Sequence, residues 1–503
     1  MTKRLLLMGM ISLIIMPMMG QDWPEQSLPQ ESLARHLRFL ASDELAGRRT
    51  GEPGNDQAAA YIAQQFEQFG LETPPGQEDY FQAVPFRNIT PPKRGEMTFG
   101  NLNFQQGKEM VIRAGEVAID IEAEAIYLGF GWIDSALEIN DYAGKEVEGK
   151  VIITDMGGPG FEGPGKVSEA SRLKRTWAAE RGAVALIEIY NLGSPPWRYL
   201  VDYLNRPTIS LDQQRAGNEY PEFSVAWIQD KKKVLLKELE KSPDSKLQFT
   251  QSGMSIRRFT SNNVMGIILG KDSVLKDEYV LLSAHYDHVG TGRNGGSYGP
   301  NDSIFNGARD NGMGTTALLA AADALSKDPP RRSVICLSVT GEEIGLLGSK
   351  YYADNPLIPL EKTIFDLNTD GAGYNDTTTV TVVGLDRTTA QPIIEAADDD
   401  FPLTTMDDPL KEMQLFDRSD NASFAKKGIP SVNLSPGITA FDKEIQRYYH
   451  RPADQVDDLN FSYLAKYCRL YAHTARRIAD MTERPQWIEG DKYKSIGKEL
   501  YGE

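Results

Sequence analysis

The sequence predicts an α/β protein: a mostly parallel central sheet with helices on both faces, plus an inserted β-rich domain. Three observations carry this expectation. From about residue 262 onward short apolar runs alternate with helical patterns, the order that builds parallel strands joined by crossover helices. Between about 115 and 250 the texture changes to short β-type runs separated by Gly/Pro turns. The chain has 503 residues, 40% hydrophobic and 25% charged, which is ordinary globular usage and enough for two or three domains. Disordered, collagen-like and multi-span membrane classes are thereby excluded.

Taken in order, Lys3 and Arg4 precede the 15-residue apolar run from Leu5 to Met19, followed by Gly20 and polar Gln21-Asp22. This is the layout of a secretory signal over residues 1–20, and the run is short of the roughly 20 residues that span a bilayer. An exported protein, periplasmic or secreted, without an integral span after signal removal is expected, with an uncleaved anchor as the weaker alternative. Residues 21–114 read as the first part of the main domain. Helical apolar spacing in Leu33-Ala-Arg-His-Leu-Arg-Phe-Leu40 and Ala58-Ala-Ala-Tyr-Ile-Ala-Gln-Gln-Phe66 is broken by the turn-rich stretch from Gly47 to Gly54. Residues 115–254 form the β-rich insertion, with strands at Ala125-Ile-Tyr-Leu, Lys150-Val-Ile-Ile-Thr and Ala183-Val-Ala-Leu-Ile-Glu-Ile and one helix near 168–181. Residues 255–485 are the main α/β part: a strand at 278–283, a helix at 313–326, a strand at 333–339, a short helix from Leu346 and a strand at 363–367. Residues 486–503 remain as a C-terminal tail.

Charge narrows the function classes. Lys and Arg number 54 against 71 Asp and Glu, a net charge of −17, which repels polyanions and makes nucleic acid an unsuitable partner. Cys336 and Cys468 are too few for a disulfide framework or a Cys-rich zinc cluster and read as buried thiols.

In open α/β sheets ligands bind beyond the carboxyl ends of the strands. Three such ends carry metal-binding residue types: Ala284-His285-Tyr286-Asp287-His288, Thr340-Gly341-Glu342-Glu343 and Asn368-Thr369-Asp370. Between the first two, Gly307-Ala308-Arg309-Asp310-Asn311-Gly312 sets Asp310 just before a helix, and a later strand near 430–434 leads to Tyr449-His450. A Glu-Glu pair alone is commonly solvated surface, and a lone histidine is more often packing than ligand. The joint pattern carries more. His285, Asp310, Glu343, Asp370 and His450 supply two imidazoles and three carboxylates, enough for two zinc ions if one carboxylate bridges.

Together, Ala284-His-Tyr-Asp-His-Val-Gly290, Gly307-Ala-Arg-Asp-Asn-Gly312, Gly341-Glu-Glu-Ile-Gly-Leu-Leu-Gly-Ser349, Asn368-Thr-Asp370 and Tyr449-His450 resemble the ordered motifs of the co-catalytic two-zinc aminopeptidases. That family also includes glutamate carboxypeptidase, glutaminyl cyclase and transferrin receptor. The resemblance implies a zinc-exopeptidase type of α/β fold over about 27–110 and 255–480, with the insertion similar to a protease-associated domain. It places His285 and Asp370 on one Zn2+, Glu343 and His450 on the other, and Asp310 between them. Glu342 becomes the general base, Asp287 the carboxylate holding the other N–H of His285, and Tyr449 a hydrogen-bond donor to the developing oxyanion, against the alternative of a packing tyrosine. His288 is expected to pack or hydrogen-bond locally, Arg309 to fill a variable slot, and Asn421 to alter the substrate pocket.

The implied activity is aminopeptidase action on peptide substrates. A carboxypeptidase or dipeptidase is the near alternative, with Arg418 a candidate for the substrate carboxylate. A glutaminyl cyclase or a non-catalytic receptor-like protein fits less well, because all five ligand types are intact. A homodimer is compatible with the insertion, as are a lid and a substrate-binding surface.

Overall fold

A computed structural model describes residues 23–161, 164–213, 220–242, 245–296 and 298–503, so the expected signal at 1–20 lies outside the described residues. The chain forms two compact units, Met1–Gln82 with Asn263–Glu503, and Ala83–Asn262.

In the first unit the strands run in the order Asn263 end of Ser255–Ile268, Ser333–Val339, Tyr279–His285, Thr363–Asn368, Ser431–Pro436, Thr379–Val383 and Thr404–Asp407. The four from Ser333–Val339 to Ser431–Pro436 are mutually parallel. Their residues are buried on both faces, which is why they read as continuous apolar runs rather than as alternation. The period of two still sorts the faces. Val280, Leu282, Ala284, Val334 and Cys336 join one core cluster, while Leu281, Ile335, Leu337 and Val339 join another.

The first face is covered by Met313–Lys327, an Ala-rich helix buried along nearly its whole length, together with Phe461–Ala479 and Gln30–Leu40. Small side chains let these helices approach closely, and each full burial of a Leu or Ile stabilises by about 1.5–3 kcal/mol. The second face is covered by Leu347–Asp354 and Asn421–Ala425, through Tyr352, Ala353 and Phe424. The two expected N-terminal helices are Gln30–Leu40 and Pro53–Gln68. Both cysteines are free and buried.

The stretch after 485 is not a detached tail. Trp487 is buried and donates Nε1–H to the Gly428 carbonyl at 2.9 Å, and the helix Lys494–Tyr501 ends with the Tyr501 hydroxyl on the Thr363 carbonyl at 2.7 Å.

The second unit holds an eight-stranded sheet in the order Leu102–Gln105, Gly95–Phe99, Lys246–Gln251, Ile119–Tyr127, Val151–Asp155, Ala185–Ile189, Ser224–Ile228, Met110–Ala114. The four from Ile119–Tyr127 to Ser224–Ile228 are parallel, and Pro164–Glu180 is the crossover helix between two of them. A separate antiparallel ladder joins Phe81–Thr90 to Thr208–Leu211. The unit is thus wider than the expected 115–254, because the strands between 95 and 114 complete its sheet instead of belonging to the peptidase part.

Candidate metal centre

Parallel register assembles the site. His285 stands opposite Val339, and Ser283 opposite Asn368, so the segments leaving these strands emerge on one rim. His285 is the last strand residue; Glu342 and Glu343 follow Val339 by three and four residues, and Asp370 follows Asn368 by two. Asp310 lies in the turn entering Met313–Lys327. Gly307 begins that turn at φ 60°, and a Cβ there would meet the Asp310 carbonyl oxygen at 2.3 Å and the His288 ring at 2.6 Å, so only glycine fits. Asn311 ties the segments together, its amide donating to the Thr369 carbonyl at 2.9 Å and the His285 carbonyl at 3.3 Å.

The five expected donors meet. His285 Nε2 is 3.1 Å from Asp370 Oδ1 and 3.6 Å from Asp310 Oδ1, while His450 Nε2 is 3.1 Å from Glu343 Oε2 and 3.2 Å from Asp310 Oδ2. The two oxygens of Asp310 therefore face different imidazoles. His285 Nδ1 donates to the Asp287 backbone carbonyl at 3.1 Å, so Nε2 is the ring nitrogen that faces the carboxylates. Glu342 Oε2 stands 4.0 Å from His285 Nε2.

Among the described residues two groups could hold a cation: His285, Asp310 and Asp370, and His288, Asp310, Glu343 and His450. Imidazole and carboxylate donors suit zinc and similar divalent ions. Electrostatics agree with that donor set. Burial would lower His285, yet Asp370 and Glu342 hold it well above its ordinary range; His450, against the same burial penalty, is pushed up to about 10 by Asp310 and Glu343. Burial raises Glu342, with Asp370 and Glu343 adding to that against the pull of His285. The pocket is rich in negative charge and calls for positive charge.

Several expectations need correction. The contacts of His288 are not only local: it is buried, with Nδ1 2.6 Å from Glu343 Oε1 and 4.0 Å from Asp310. Asp287 holds the His285 N–H through its backbone carbonyl, its carboxylate lying 3.7 Å away. That carboxylate instead accepts from the Glu342 backbone N–H and the Thr50 hydroxyl, each at 3.1 Å. Asn421 is buried on the Phe416 carbonyl and does not line the cavity. Arg309 is a buried brace, its guanidinium 3.0 Å from Asp454 and 3.6 Å over the Tyr448 ring.

The residues that sequence reasoning missed are those that brace the donors. Asp454 accepts from the backbone N–H groups of Arg309 and Asp310 as well as from the Arg309 side chain. Arg48, fully buried, donates to the carbonyls of Tyr286, Asn306, Gly307 and Leu40, stapling two ligand-bearing loops to the N-terminal segment. Arg48 lies in the turn-rich stretch from Gly47 to Gly54, and nothing local in the sequence points to its acceptors.

Beside the donors lies a cavity of about 150 Å³. Glu342, Asp370 and Tyr449 line one side, and Val383, Leu410, Met413, Ile438 and Phe441 form an apolar wall. Burial raises the Tyr449 hydroxyl, with Asp310 and Glu343 adding to the rise, so it stays a donor at neutral pH.

Residues 263–475 match the model of Peptidase family M28. Aminopeptidase YwaD of Bacillus subtilis (strain 168) is 26% identical over 243 residues, 46% of this chain and 47% of its own length. Vacuolar membrane protease of Saccharomyces cerevisiae is 36% identical over 115 residues, 23% of this chain and 10% of its own. The chain thus spans half or less of these curated relatives. The solved aminopeptidase from Aneurinibacillus sp. strain AM-1 shares the fold, with a TM-score of 0.52 at 20% identity, covering 92% of this chain and 96% of that chain. The segment that carries all five clustered donors, residues 263–475, is thus the part of the chain that is similar to peptidase family M28.

Proposed function

We propose that the protein is an exported two-zinc aminopeptidase that removes apolar N-terminal residues from peptides. The observation that carries this reading is the meeting of His285, Asp310, Glu343, Asp370 and His450 on one rim, beside a cavity with an apolar wall. His285 and Asp370 would hold one ion, Glu343 and His450 the other, and Asp310 both. When bound, the zinc ions supply the positive charge that acidifies water and polarises a peptide carbonyl.

The chain's own groups do the rest. Glu342 is free of that ligand set, and its backbone N–H is fixed on Asp287 at 3.1 Å. Its carboxylate takes the proton of the attacking water and returns it to the leaving nitrogen, a role requiring a free carboxylate within hydrogen-bond reach. Tyr449, a donor on the cavity wall, is suited to the oxygen on which negative charge develops. The surrounding carboxylates favour a free α-ammonium group. The cavity's volume matches one apolar side chain, since a cavity of about 150 Å³ is enough for benzene.

Arg418 lines the same cavity and supports a second reading, a dipeptidase that holds the substrate carboxylate. Leucine p-nitroanilide, its N-acetyl form and Leu-Gly with free or amidated carboxylate separate the options. Aminopeptidase action predicts that acetylation lowers kcat/KM by about 100-fold or more while amidation changes it little, and that a chelator abolishes turnover until zinc is returned. Turnover of the acetylated substrate at the same rate, or chelator-resistant activity, would overturn the reading.

A further inference from the structure

The second unit carries two adjoining pockets of unlike lining, the polar and the apolar end of one candidate site, which share Trp227 and Ser168. The polar end, about 120 Å³, is lined by Arg113, Arg172 and Arg175. The apolar end, about 230 Å³, is lined by Val167, Leu200, Tyr190, Tyr199 and Tyr203.

Arg113 is aimed there by a bulge. Ala114 stands opposite Val225 and Ile112 opposite Ala226, so Arg113 is the extra residue of its strand. Bulges redirect a side chain in this way and recur next to binding sites. Its guanidinium lies 4.7 Å from the centre of the Trp227 ring, and its buried Nε has no hydrogen-bond partner.

The acidic group beneath is already occupied: Glu188 is paired with Lys174 at 2.5 Å and accepts from Trp227 Nε1 at 2.8 Å. Neither Arg113 nor Arg172 makes an ion-pair contact among the described residues; the charge of Glu188 also reaches Arg113, but that one carboxylate already serves Lys174, so positive charge is left over in a chain of net charge −17. At the other end Tyr199 and Tyr203, 62% and 58% exposed, stand one helical turn apart with parallel rings. Exposed aromatic surface gathered beside surplus positive charge marks a binding site rather than a solvated face.

We propose that this site binds the carboxy-terminal residue of an apolar peptide, with its carboxylate on Arg113 and Arg172 and its side chain among Trp227, Tyr199 and Tyr203. Charge selects the carboxylate. Size selects one side chain over a long acyl tail, because a 150 Å³ cavity already holds benzene and the apolar end has about 230 Å³. The proposal concerns binding alone and stands apart from the metal chemistry.

Titration calorimetry on the full chain, kept metal-free by chelator, tests it with acetyl-Leu-Phe, its carboxamide and decanoate. The free acid is expected to bind, the carboxamide about tenfold or more weaker, and decanoate weaker than the peptide acid. Arg113→Gln and Arg172→Ala should each weaken the free acid about tenfold. Arg172 is exposed, so its variant keeps the fold and should hydrolyse leucine p-nitroanilide, which has no carboxylate, at the parent rate. Equal affinity for acid and carboxamide, tighter binding of decanoate, no binding at all, or an unchanged affinity in Arg172→Ala would overturn the proposal.

Discussion

Asp454→Asn tests the brace behind the candidate metal centre. The substitution keeps shape and removes one charge. In the parent chain the Asp454 carboxylate accepts from the Arg309 backbone N–H at 2.9 and 3.1 Å, the Asp310 backbone N–H at 3.2 Å and the Arg309 guanidinium at 3.0 Å. Both side chains are almost fully buried, so the variant strands a guanidinium without its counter-ion. Breaking a buried pair from one side costs about 3–5 kcal/mol. The amide still accepts with its oxygen, which puts the expected loss near the lower figure, about 3 kcal/mol. At roughly 1.5 °C per kcal/mol for a unit of about 320 residues, the melting temperature should fall by about 4–5 °C. The Asp310 backbone also loses its anchor, so zinc affinity should fall about 10–100-fold, as for other groups that orient a ligand. Thermal melts of the metal-free chain and competition with a chromophoric chelator read the two effects separately. A melting temperature and an affinity both unchanged would refute the bracing argument.

Glu342→Gln should keep both metals and lose about 10² to 10⁴ in kcat, about 3–5 kcal/mol of barrier; near-parent turnover would remove Glu342 from the mechanism. His288→Asn should weaken zinc binding about 10–100-fold through loss of the contact to Glu343, measured by the same chelator competition, with an unchanged affinity counting against a positioning role. His36 gives a pH signature away from the site. Burial lowers it to about 4 from 6.5, while its Nδ1 is 2.7 Å from the Tyr61 hydroxyl. Between those values the unfolded chain binds the proton and the folded chain does not, so stability is full above pH 6.5 and falls by roughly 3 kcal/mol as pH drops toward 4. Urea midpoints of the parent and of His36→Gln across that window should converge as pH falls; parallel curves would contradict the assignment.

How much of this was legible in the sequence follows from where each signal resides. Strands buried on both faces print themselves as apolar runs, and the residue type at each exit is local, so His285, Glu343 and Asp370 could be read directly. Their convergence followed from parallel register alone. Arg48 and Asp454 could not be read this way, because most of their partners come from distant parts of the chain: Tyr286 and Asn306 for Arg48, Arg309 for Asp454. His288 looked like filler because it is next to Asp287, yet its contact lies 55 residues on, at Glu343. The boundary of the second unit did have a local signal. Gly100-Asn101 joins Gly95–Phe99 to Leu102–Gln105 with Phe99 opposite Leu102, a two-residue hairpin of readable turn chemistry. It was outweighed by the coarser change of texture near 115.

Metal stoichiometry tests the central claim most directly. Elemental analysis of the purified protein after saturation with zinc and removal of the excess should find two ions per chain, and the same analysis of Asp310→Ala should find less than one. A parent chain that retains none, or an Asp310→Ala chain that still holds both, would contradict the shared-carboxylate centre on which the proposed hydrolysis depends.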